Sequence, residues 1–213
     1  MPDRLISSQV RDYIDSLVPT RPPEMQAMEA YARERGFPIV GPAAGHFCYQ
    51  VARMIGARRV FELGSGYGYS TAWFARAVKD NGGGQVYHVG WDEALSRQAR
   101  RHLNILGYAN IIEYRVAEAI KTLESTPGPF DLIFNDIIKE CYPESLPVIA
   151  DKLRPGGVLI ADNALWGGRI FDADDQDPNV EGVREFTRRL MEDPGWIATL
   201  VPIHDGLLVA YKR

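Results

Sequence analysis

The sequence predicts an α/β fold in which a doubly wound, mostly parallel sheet of seven strands follows N-terminal helices and ends in an antiparallel hairpin. From about residue 57, short runs rich in β-branched and aromatic residues alternate with helical stretches of ten or more residues. This alternation is typical of parallel strands joined by crossover helices. Before it, apolar residues recur at helical spacing between proline and glycine breaks. We therefore expect one domain over residues 1–213, with a helical cap over 1–56 and an α/β core over 57–213.

Three helices are predicted before the first strand, and residue types that start or stop helices set their limits. Asp3 is a candidate N-cap for the first helix. The proline-rich segment 19–23 separates the first helix from the second, and glycines follow the second and third. The predicted helices end at about Leu17, span about residues 24–35, and span about residues 45–55.

The strands are short apolar runs separated by residues that begin or end helices, among them Ser70, Asp92, Gly107 and Pro143. The last two runs are joined by His204-Asp205-Gly206, residue types that favour a tight turn between antiparallel strands. The predicted strands cover residues 59–63, 85–89, 111–115, 130–135 and 158–161, followed by a hairpin of residues 197–203 and 207–211.

Composition restricts the class of protein. With 46% hydrophobic and 24% charged residues, the chain can bury a sizeable core. No apolar run approaches the roughly 18 residues of a membrane span, and the first residues lack the order of a secretory signal, so we expect a cytoplasmic protein. The two cysteines, Cys48 and Cys141, are too far apart for a CxxC pair and are expected to be free thiols. A net charge of −4 favours a small-molecule partner over nucleic acid.

A glycine-rich loop, Glu62-Leu-Gly-Ser-Gly-Tyr-Gly-Tyr-Ser70, follows the first predicted strand directly. Its alternating glycines let the backbone approach a ligand closely, and the next helix start offers unpaired N–H groups. These features favour a nucleotide-type loop, although a turn without a ligand has the same composition. The loop lacks the G-x-G-x-x-G spacing of nicotinamide cofactor loops and the Gly-Lys-Ser/Thr of a phosphate-binding P-loop.

Oxygen-bearing side chains follow two of the later strands. Asp136 ends one strand, and Asp162 and Asn163 end the next. The carboxyl ends of parallel strands face one crevice, where ligands bind. Two carboxylates and an amide oxygen suit Mg²⁺, but Asp and Asn are also common in turns and caps. The residues alone leave both interpretations open.

Four separated segments resemble, in their order and intervals, the family of S-adenosylmethionine-dependent, metal-dependent O-methyltransferases. They are residues 62–70, 130–139, 153–163 and 202–207. This family includes catechol and caffeoyl-CoA O-methyltransferases, and the likeness extends from about Val40 to the C-terminus. The resemblance implies a Rossmann-like methyltransferase fold and methyl transfer from S-adenosylmethionine to a hydroxyl of a small catechol-like or phenolic acceptor. It also implies a divalent metal, with Mg²⁺ expected, and a homodimer.

The resemblance assigns roles to individual residues. Asp136, Asp162 and Asn163 correspond to the metal ligands, and Lys139 corresponds to the general base that takes the acceptor's proton. A neighbouring cation would favour the neutral form of Lys139; the alternative is a solvated surface lysine. The implied cofactor contacts are Val40, Glu62, Gly64, Ser65, Gly66, Ser70, Gly90, Glu118, Ala119 and Asp136. For Glu118 the alternative is an ordinary helix N-terminus.

The sequence departs from the family pattern at Gly90. An acidic residue at the tip of the second strand normally binds the ribose hydroxyls, so we expect weaker cofactor binding unless Trp91 or Asp92 covers the ribose. A second departure, Ile137-Ile138, predicts a more apolar acceptor pocket than in plant relatives. Trp166 is expected either to wall that pocket or to pack in the core.

Two alternative functions remain open. One is a tRNA-modifying O-methyltransferase, for which Arg97, Arg100 and Arg101 would supply a local basic patch. The other is a non-catalytic module that has lost cofactor binding at Gly90. The four histidines, His204 among them, show no ligand spacing.

Overall fold

Within residues 7–213, which the computed structural model describes, seven strands form a single sheet. They are β1 (Arg59–Leu63), β2 (Gln85–Gly90), β3 (Ile112–Val116), β4 (Phe130–Asn135), β5 (Leu153–Ala161), β6 (Trp196–Val201) and β7 (Leu207–Lys212). Their spatial order is β3-β2-β1-β4-β5-β7-β6. β1 to β5 pair in parallel, and β7 pairs antiparallel with both β5 and β6. The predicted fold class is confirmed, including the terminal hairpin.

Eight α-helices accompany the sheet in the described part of the chain. They are α1 (Ser8–Ser16), α2 (Pro23–Arg35), α3 (Gly41–Met54), α4 (Tyr69–Asp80), α5 (Glu93–Ile105), α6 (Ala119–Ser125), α7 (Tyr142–Lys152) and α8 (Pro178–Glu192). Short 3₁₀ turns lie at Ala109–Ile111, Lys139–Cys141 and Trp166–Phe171. None of the helices described has the length and apolar character needed to cross a membrane.

Several predicted boundaries differ from the structure. Ser7 caps α1 through its hydroxyl, whereas the predicted cap Asp3 lies outside the described residues. The third helix begins at Gly41, four residues before the predicted start, because Gly45 lies inside the helix rather than before it. A Cβ on Gly45 would clash with the indole of Trp73, so glycine is needed there for packing. Likewise α4 begins at Tyr69, not at Ser70.

Two further boundaries differ in the C-terminal half. β5 begins at Leu153 rather than at residue 158, because Leu153 already pairs with Phe130 of β4. The pairing is irregular over the next residues, where Gly156 has a φ of +74°, and it resumes at Val158. The predicted tight turn of the hairpin is longer: β6 ends at Val201 and β7 begins at Leu207, which leaves a five-residue loop.

The sheet separates two hydrophobic cores. Successive strand residues point to opposite faces, so Val60 and Phe61 of β1 belong to different cores. The first core packs α2, α3 and α4 on the sheet, with Trp73 at its centre. The second packs α6, α7 and α8, with Tyr142 and Phe186 in contact across it. Both faces are thus covered, which leaves the carboxyl edge of the parallel strands as the open side of the sheet.

Candidate functional site

A cavity of about 550 Å³ opens at the carboxyl edge of the parallel strands. It lies where the strand order reverses, between β1 and β4, which is the usual ligand position in open α/β sheets. Segments from both halves of the chain form its wall: residues 37–40, the glycine-rich loop, the segments that follow β2, β4 and β5, and the hairpin loop. Of the predicted site residues, Val40, Gly64, Ser65, Gly66, Ser70, Gly90, Asp136, Lys139, Asp162 and Asn163 line it.

The glycine-rich loop is held by close backbone packing. Gly64 has a φ of +89°, and a Cβ there would clash with the carbonyl of Asp136. Gly68 has a φ of +92°, and a Cβ there would lie 2.9 Å from the Cβ of Ala99 in α5. The Ser65 hydroxyl accepts a hydrogen bond from Val89 N at 3.0 Å. These contacts let the loop lie between the ends of β1, β2 and β4.

The two tyrosines of the loop connect it to the helical cap. The Tyr67 hydroxyl donates to the carbonyl of Met28 at 2.9 Å, and the Tyr69 hydroxyl donates to Glu29 Oε1 at 2.8 Å. Glu29 is itself buried and accepts two hydrogen bonds of 2.9 Å from the Arg21 guanidinium. The position of the loop therefore depends on α2 as well as on the sheet.

Glu62 lies beneath the loop, fully buried and outside the cavity wall. Burial raises the pKa of its carboxyl to about 7, and the negative charge of Asp136 adds to the rise. Neither carboxylate oxygen forms a hydrogen bond to a residue the structure describes. The Thr71 hydroxyl instead lies 3.0 Å from Nδ1 of the buried His88. A buried carboxylate with two free acceptor oxygens is suited to a cationic or N–H-bearing ligand group.

The three predicted oxygen ligands come together. Asp136 follows β4, and Asp162 and Asn163 follow β5, all on one wall of the cavity. Burial raises the pKa of Asp162 to about 8, and the nearby negative charge of Asp136 adds to the rise. Burial also raises the pKa of Asp136, against the effect of Lys139. A cation close to Asp136 and Asp162 would favour the ionised form of both carboxyls.

The orientation of Asn163 depends on a residue that the sequence analysis treated only as part of a turn. Asn163 Nδ2 donates to Asp205 Oδ2 at 3.1 Å, which leaves its amide oxygen free of hydrogen bonds to the described residues. The other oxygen of Asp205 accepts from Gly167 N at 2.7 Å. Asp205 lies 42 residues from Asn163 in sequence, so no local pattern could identify this contact.

Lys139 is buried, with only 5% of the residue exposed, so the alternative of a solvated surface lysine is wrong. Its Nζ donates to Asp136 Oδ1 at 2.6 Å and to the carbonyl of Ile137 at 3.0 Å. It also lies 5.1 Å and 5.7 Å from the ring centroids of Tyr142 and Trp166. The amine is therefore fixed at the cavity wall.

Helix α8 holds the backbone of Lys139, a role that the sequence analysis missed. Asn179 Oδ1 accepts a hydrogen bond from Lys139 N at 3.2 Å. A Cβ on Gly182 would clash with the carbonyl of Lys139, so glycine permits the close approach of α8. Since Asn179 also lines the cavity, it belongs to the same wall as the residue it positions.

Comparison with known proteins identifies the family. Residues 25–213 match the family model described as O-methyltransferase. The chain belongs to this O-methyltransferase family. It is 30% identical to the catechol O-methyltransferase of Niastella koreensis over an alignment of 219 positions that covers 98% of each chain. The resemblance noted from the sequence is thereby confirmed, and the protein is an enzyme.

Solved structures of other O-methyltransferases have the same fold. TomG from Streptomyces achromogenes, in complex with S-adenosylmethionine (SAM), has a TM-score of 0.87 at 29% identity, covering 100% of this chain and 99% of that one. The Bacillus cereus enzyme, in complex with S-adenosylhomocysteine (SAH), has a TM-score of 0.86 at 27% identity, covering 96% and 97% of the two chains. The fold similarity therefore extends over the helical cap as well as the sheet.

Gly90, the position at which we expected a departure from the family pattern, lines the cavity of the methyltransferase. Its φ lies outside the left-handed region, and a Cβ there would meet no atom within 4 Å. Asp92 caps α5, accepting from Ala94 N and Leu95 N at 2.7 and 3.0 Å. Trp91 lines the cavity and is 66% exposed. The space that an acidic side chain would occupy at the tip of β2 is open.

Besides Glu62, two predicted cofactor contacts, Glu118 and Ala119, lie away from the cavity wall of the methyltransferase. The Glu118 carboxylate caps α6, accepting from Ile120 N at 2.8 Å and from Lys121 N at 2.6 Å. Ala119 is buried in the second core. Glu118 therefore matches the ordinary helix N-terminus that was its alternative, and a contact of either residue with a cofactor stays a prediction.

The basic patch considered for RNA binding is partly engaged in intramolecular contacts. Arg97 forms an ion pair of 2.7 Å with Glu93, and the Arg100 guanidinium lies 4.3 Å from the ring centroid of Tyr114. Neither residue lines the cavity. No observation on this face favours nucleic acid over a small acceptor for the methyltransferase.

Proposed function

We propose that this O-methyltransferase transfers the methyl group of SAM to a hydroxyl of a small catechol-like or phenolic acceptor, with the assistance of a divalent cation. One observation carries the proposal: a single cavity joins the glycine-rich loop to a wall that holds Asp136, Asp162, Asn163 and Lys139. The loop and the tip of β2 (residues 62–70 and 90–95) are the cofactor end. Residues 136–139, 162–167, 179 and 202–206 are the acceptor end.

The cofactor end suits a molecule that carries an ammonium group. SAM carries an ammonium group and supplies a methyl group activated by its sulfonium. The cavity wall offers Val40, Gly64, Ser65, Gly66 and Ser70 to such a molecule. Below it, the free carboxylate oxygens of Glu62 would gain a cationic neighbour, which favours the ionised form of that carboxyl. Two structural relatives are described in complex with SAM or SAH, in agreement with this assignment.

The residues at the acceptor end fit a hard divalent cation. Asp136 and Asp162 offer carboxylate oxygens, and Asn163 offers an amide oxygen, because Asp205 binds its amide nitrogen. This is the donor set that Mg²⁺ prefers. When bound, the cation stabilises negative charge on an acceptor oxygen.

Lys139 is the proposed general base. The acceptor hydroxyl gives its proton to the neutral Nζ, and the acceptor oxygen attacks the methyl carbon. The carbon–sulfur bond then breaks, and its electron pair stays on sulfur as SAH leaves. Alignment of the acceptor oxygen with the methyl group supplies most of the remaining rate enhancement. Lys139 Nζ donates to Asp136, and Lys139 N donates to the Asn179 side chain of α8; these two hydrogen bonds hold the amine at the proposed acceptor end.

The acceptor end has apolar surfaces beside these polar groups. Ile137, Ile138 and Trp166 line it, and Ile138 is more than half exposed to the cavity and solvent. An aromatic ring with vicinal oxygens fits such a wall, because the ring can pack on apolar side chains while the oxygens face the polar groups.

The test is methyl transfer to catechol with and without a divalent cation. We expect turnover with Mg²⁺ and loss of turnover after exhaustive chelation or in Asp162→Ala. Asp174→Asn, on an exposed loop outside the cavity, is the matched control and should retain activity. Turnover that survives both treatments would refute the metal assignment. If calorimetry detects no binding at millimolar SAM, the non-catalytic alternative replaces the proposal.

A further inference from the structure

Three residues that are not glycine have a left-handed backbone within the described chain: Asn163 (φ +56°), Trp166 (φ +46°) and His204 (φ +58°). All three line the main cavity. Left-handed backbone is uncommon outside glycine, and such strain concentrates at functional sites. Asn163 and Trp166 belong to the proposed metal site and acceptor wall, but His204 has no role in the proposed function so far.

The hairpin loop fixes the backbone of His204 from both sides. Gly206 N donates to Ile203 O at 2.9 Å within the loop. The carbonyls of Asp205 and Gly206 accept from Leu165 N and Ala164 N, each at 2.9 Å. A Cβ on Gly206 would lie 2.7 Å from the side chain of Leu165, so the loop packs tightly on the segment that follows β5. This packing holds His204 in its strained conformation at the acceptor end.

Within residues 7–213, the side chain of His204 makes no hydrogen bond that would explain the strain. Its Nδ1 is buried without a partner among the described residues. The ring packs close to Gly41 at the start of α3, where an added Cβ would lie 3.4 Å from Cδ2. It borders both the main cavity and a smaller one of about 30 Å³ that Arg11 and Asp15 of α1 also line. The unpaired buried nitrogen and the left-handed backbone each lower the stability of the folded protein. A residue that carries both costs is a candidate for contact with a ligand.

We propose that His204 is a specificity-determining residue whose imidazole N–H donates a hydrogen bond to an oxygen substituent of the acceptor, separate from the oxygen that is methylated. This inference rests on the proposed function. The acceptor is favoured over the cofactor as the ligand because His204 is adjacent to Asp205, which binds the proposed metal ligand Asn163. Gly90 and Trp91, by contrast, lie at the end of β2, which is on the opposite side of β1 from β4, β5 and the hairpin. A carboxylate or a hydroxyl on the ring can accept this bond.

The experiment compares three acceptors: catechol, 3,4-dihydroxybenzoate and 3,4-dihydroxybenzyl alcohol. His204→Gly removes the imidazole and accepts the left-handed backbone without strain. We expect kcat/KM for the benzoate, relative to that for catechol, to fall by about tenfold, and the fall should arise from a higher KM. About tenfold corresponds to the lower end of the range for a hydrogen bond to a charged group. The same ratio for the benzyl alcohol should fall less, and kcat/KM for catechol itself should change by less than about twofold. The Tm should not fall, since strain is relieved.

Two further variants separate a contact from a structural role. His204→Asn also tolerates the left-handed conformation and keeps a shorter N–H donor, so its selectivity should lie between wild type and His204→Gly. Thr199→Ser, at an exposed position of the adjoining strand β6 and outside the cavity, should leave the acceptor ratio unchanged. An unchanged ratio in His204→Gly, with or without a lower Tm, would overturn the inference. If wild type methylates none of the three acceptors, it is the proposed function that fails.

Discussion

The two ends of the cavity are built in different ways. The core of the cofactor end is nine consecutive residues, Glu62 to Ser70, that leave one strand and enter one helix. The acceptor end collects side chains from four separate segments of the chain. Long-range contacts hold both ends, since Asn163 and Asp205 are 42 residues apart and Tyr69 and Glu29 are 40 apart, so the difference lies in how many segments supply the lining side chains. The walls of the acceptor end also hold the three left-handed residues that are not glycine in the part of the chain described.

This difference in construction indicates which end is suited to a constant ligand and which end is suited to a variable one. A continuous strand–loop–helix unit fixes the backbone N–H groups and glycines together, so it is suited to a constant ligand such as a cofactor. An end assembled from several loops can change one loop without disturbing the others, so it is suited to a variable acceptor. The predictions below test whether the two ends act independently.

Lys139→Ala should give the largest effect, and it should be confined to the acceptor end. We expect kcat to fall by roughly 10²–10⁴-fold, the usual range for a positioned acid or base, because the acceptor loses its base. SAM affinity should change little. Steady-state kinetics at saturating acceptor and calorimetric titration with SAM measure the two quantities.

The control for this variant is Lys121→Ala, which removes an exposed lysine outside the cavity. It should leave both quantities unchanged. Near-wild-type turnover of a folded Lys139→Ala enzyme below neutral pH would count decisively against the general-base role. A parallel loss of SAM affinity would show instead that the two ends are coupled.

Gly90→Glu tests the cofactor end alone. An acidic side chain at the tip of β2 should gain a charge-assisted hydrogen bond to the ribose, about 1.5–3 kcal/mol or about tenfold to a hundredfold in SAM affinity. The open space at Gly90 and its ordinary φ permit the substitution without strain. Paired calorimetric titrations of wild type and variant at identical salt and Mg²⁺ measure the gain.

Gly90→Gln is the matched control for Gly90→Glu, because it adds a side chain of the same size without a charge. It should tighten binding less. If Gly90→Glu melts like wild type but binds SAM no more tightly, the ribose does not lack a partner at this site, and Trp91 or Asp92 already covers it.

Asp205→Asn should give the smallest effect, again at the acceptor end. The substitution keeps the shape of the side chain but weakens its hold on the Asn163 amide. Since partners of metal ligands contribute 10–100-fold to metal affinity, we expect the Mg²⁺ concentration for half-maximal turnover to rise by about tenfold, the lower end of that range. SAM affinity should stay the same. An unchanged Mg²⁺ requirement would show that Asp205 does not position the metal ligand.

The sequence predicted most of what depends on contiguous residues. The parallel strands, the terminal hairpin and the family resemblance are confirmed, since alternating periodicity and the loop at Glu62 are local patterns. The predicted start of α3 at Gly45 was wrong, because a glycine can lie inside a helix where close packing requires it as well as at a helix end. Asp205, Asn179 and Gly182 gave no local signal, because each acts on a residue about 40 positions away or more. The roles of the predicted site residues stay predictions until the variants are measured.

The hydrogen bonds of Tyr67 and Tyr69 bear on how far this chain can be shortened. A polypeptide beginning at residue 57 would keep every strand of the sheet, yet it would lose Met28 and Glu29 as partners of two buried hydroxyls in the cofactor loop. Those hydroxyls would either stay unpaired or turn to solvent, and the loop would change its shape. The sheet on its own is therefore not the smallest functional unit, and any transplant of this cofactor site to another scaffold has to carry α2 with it.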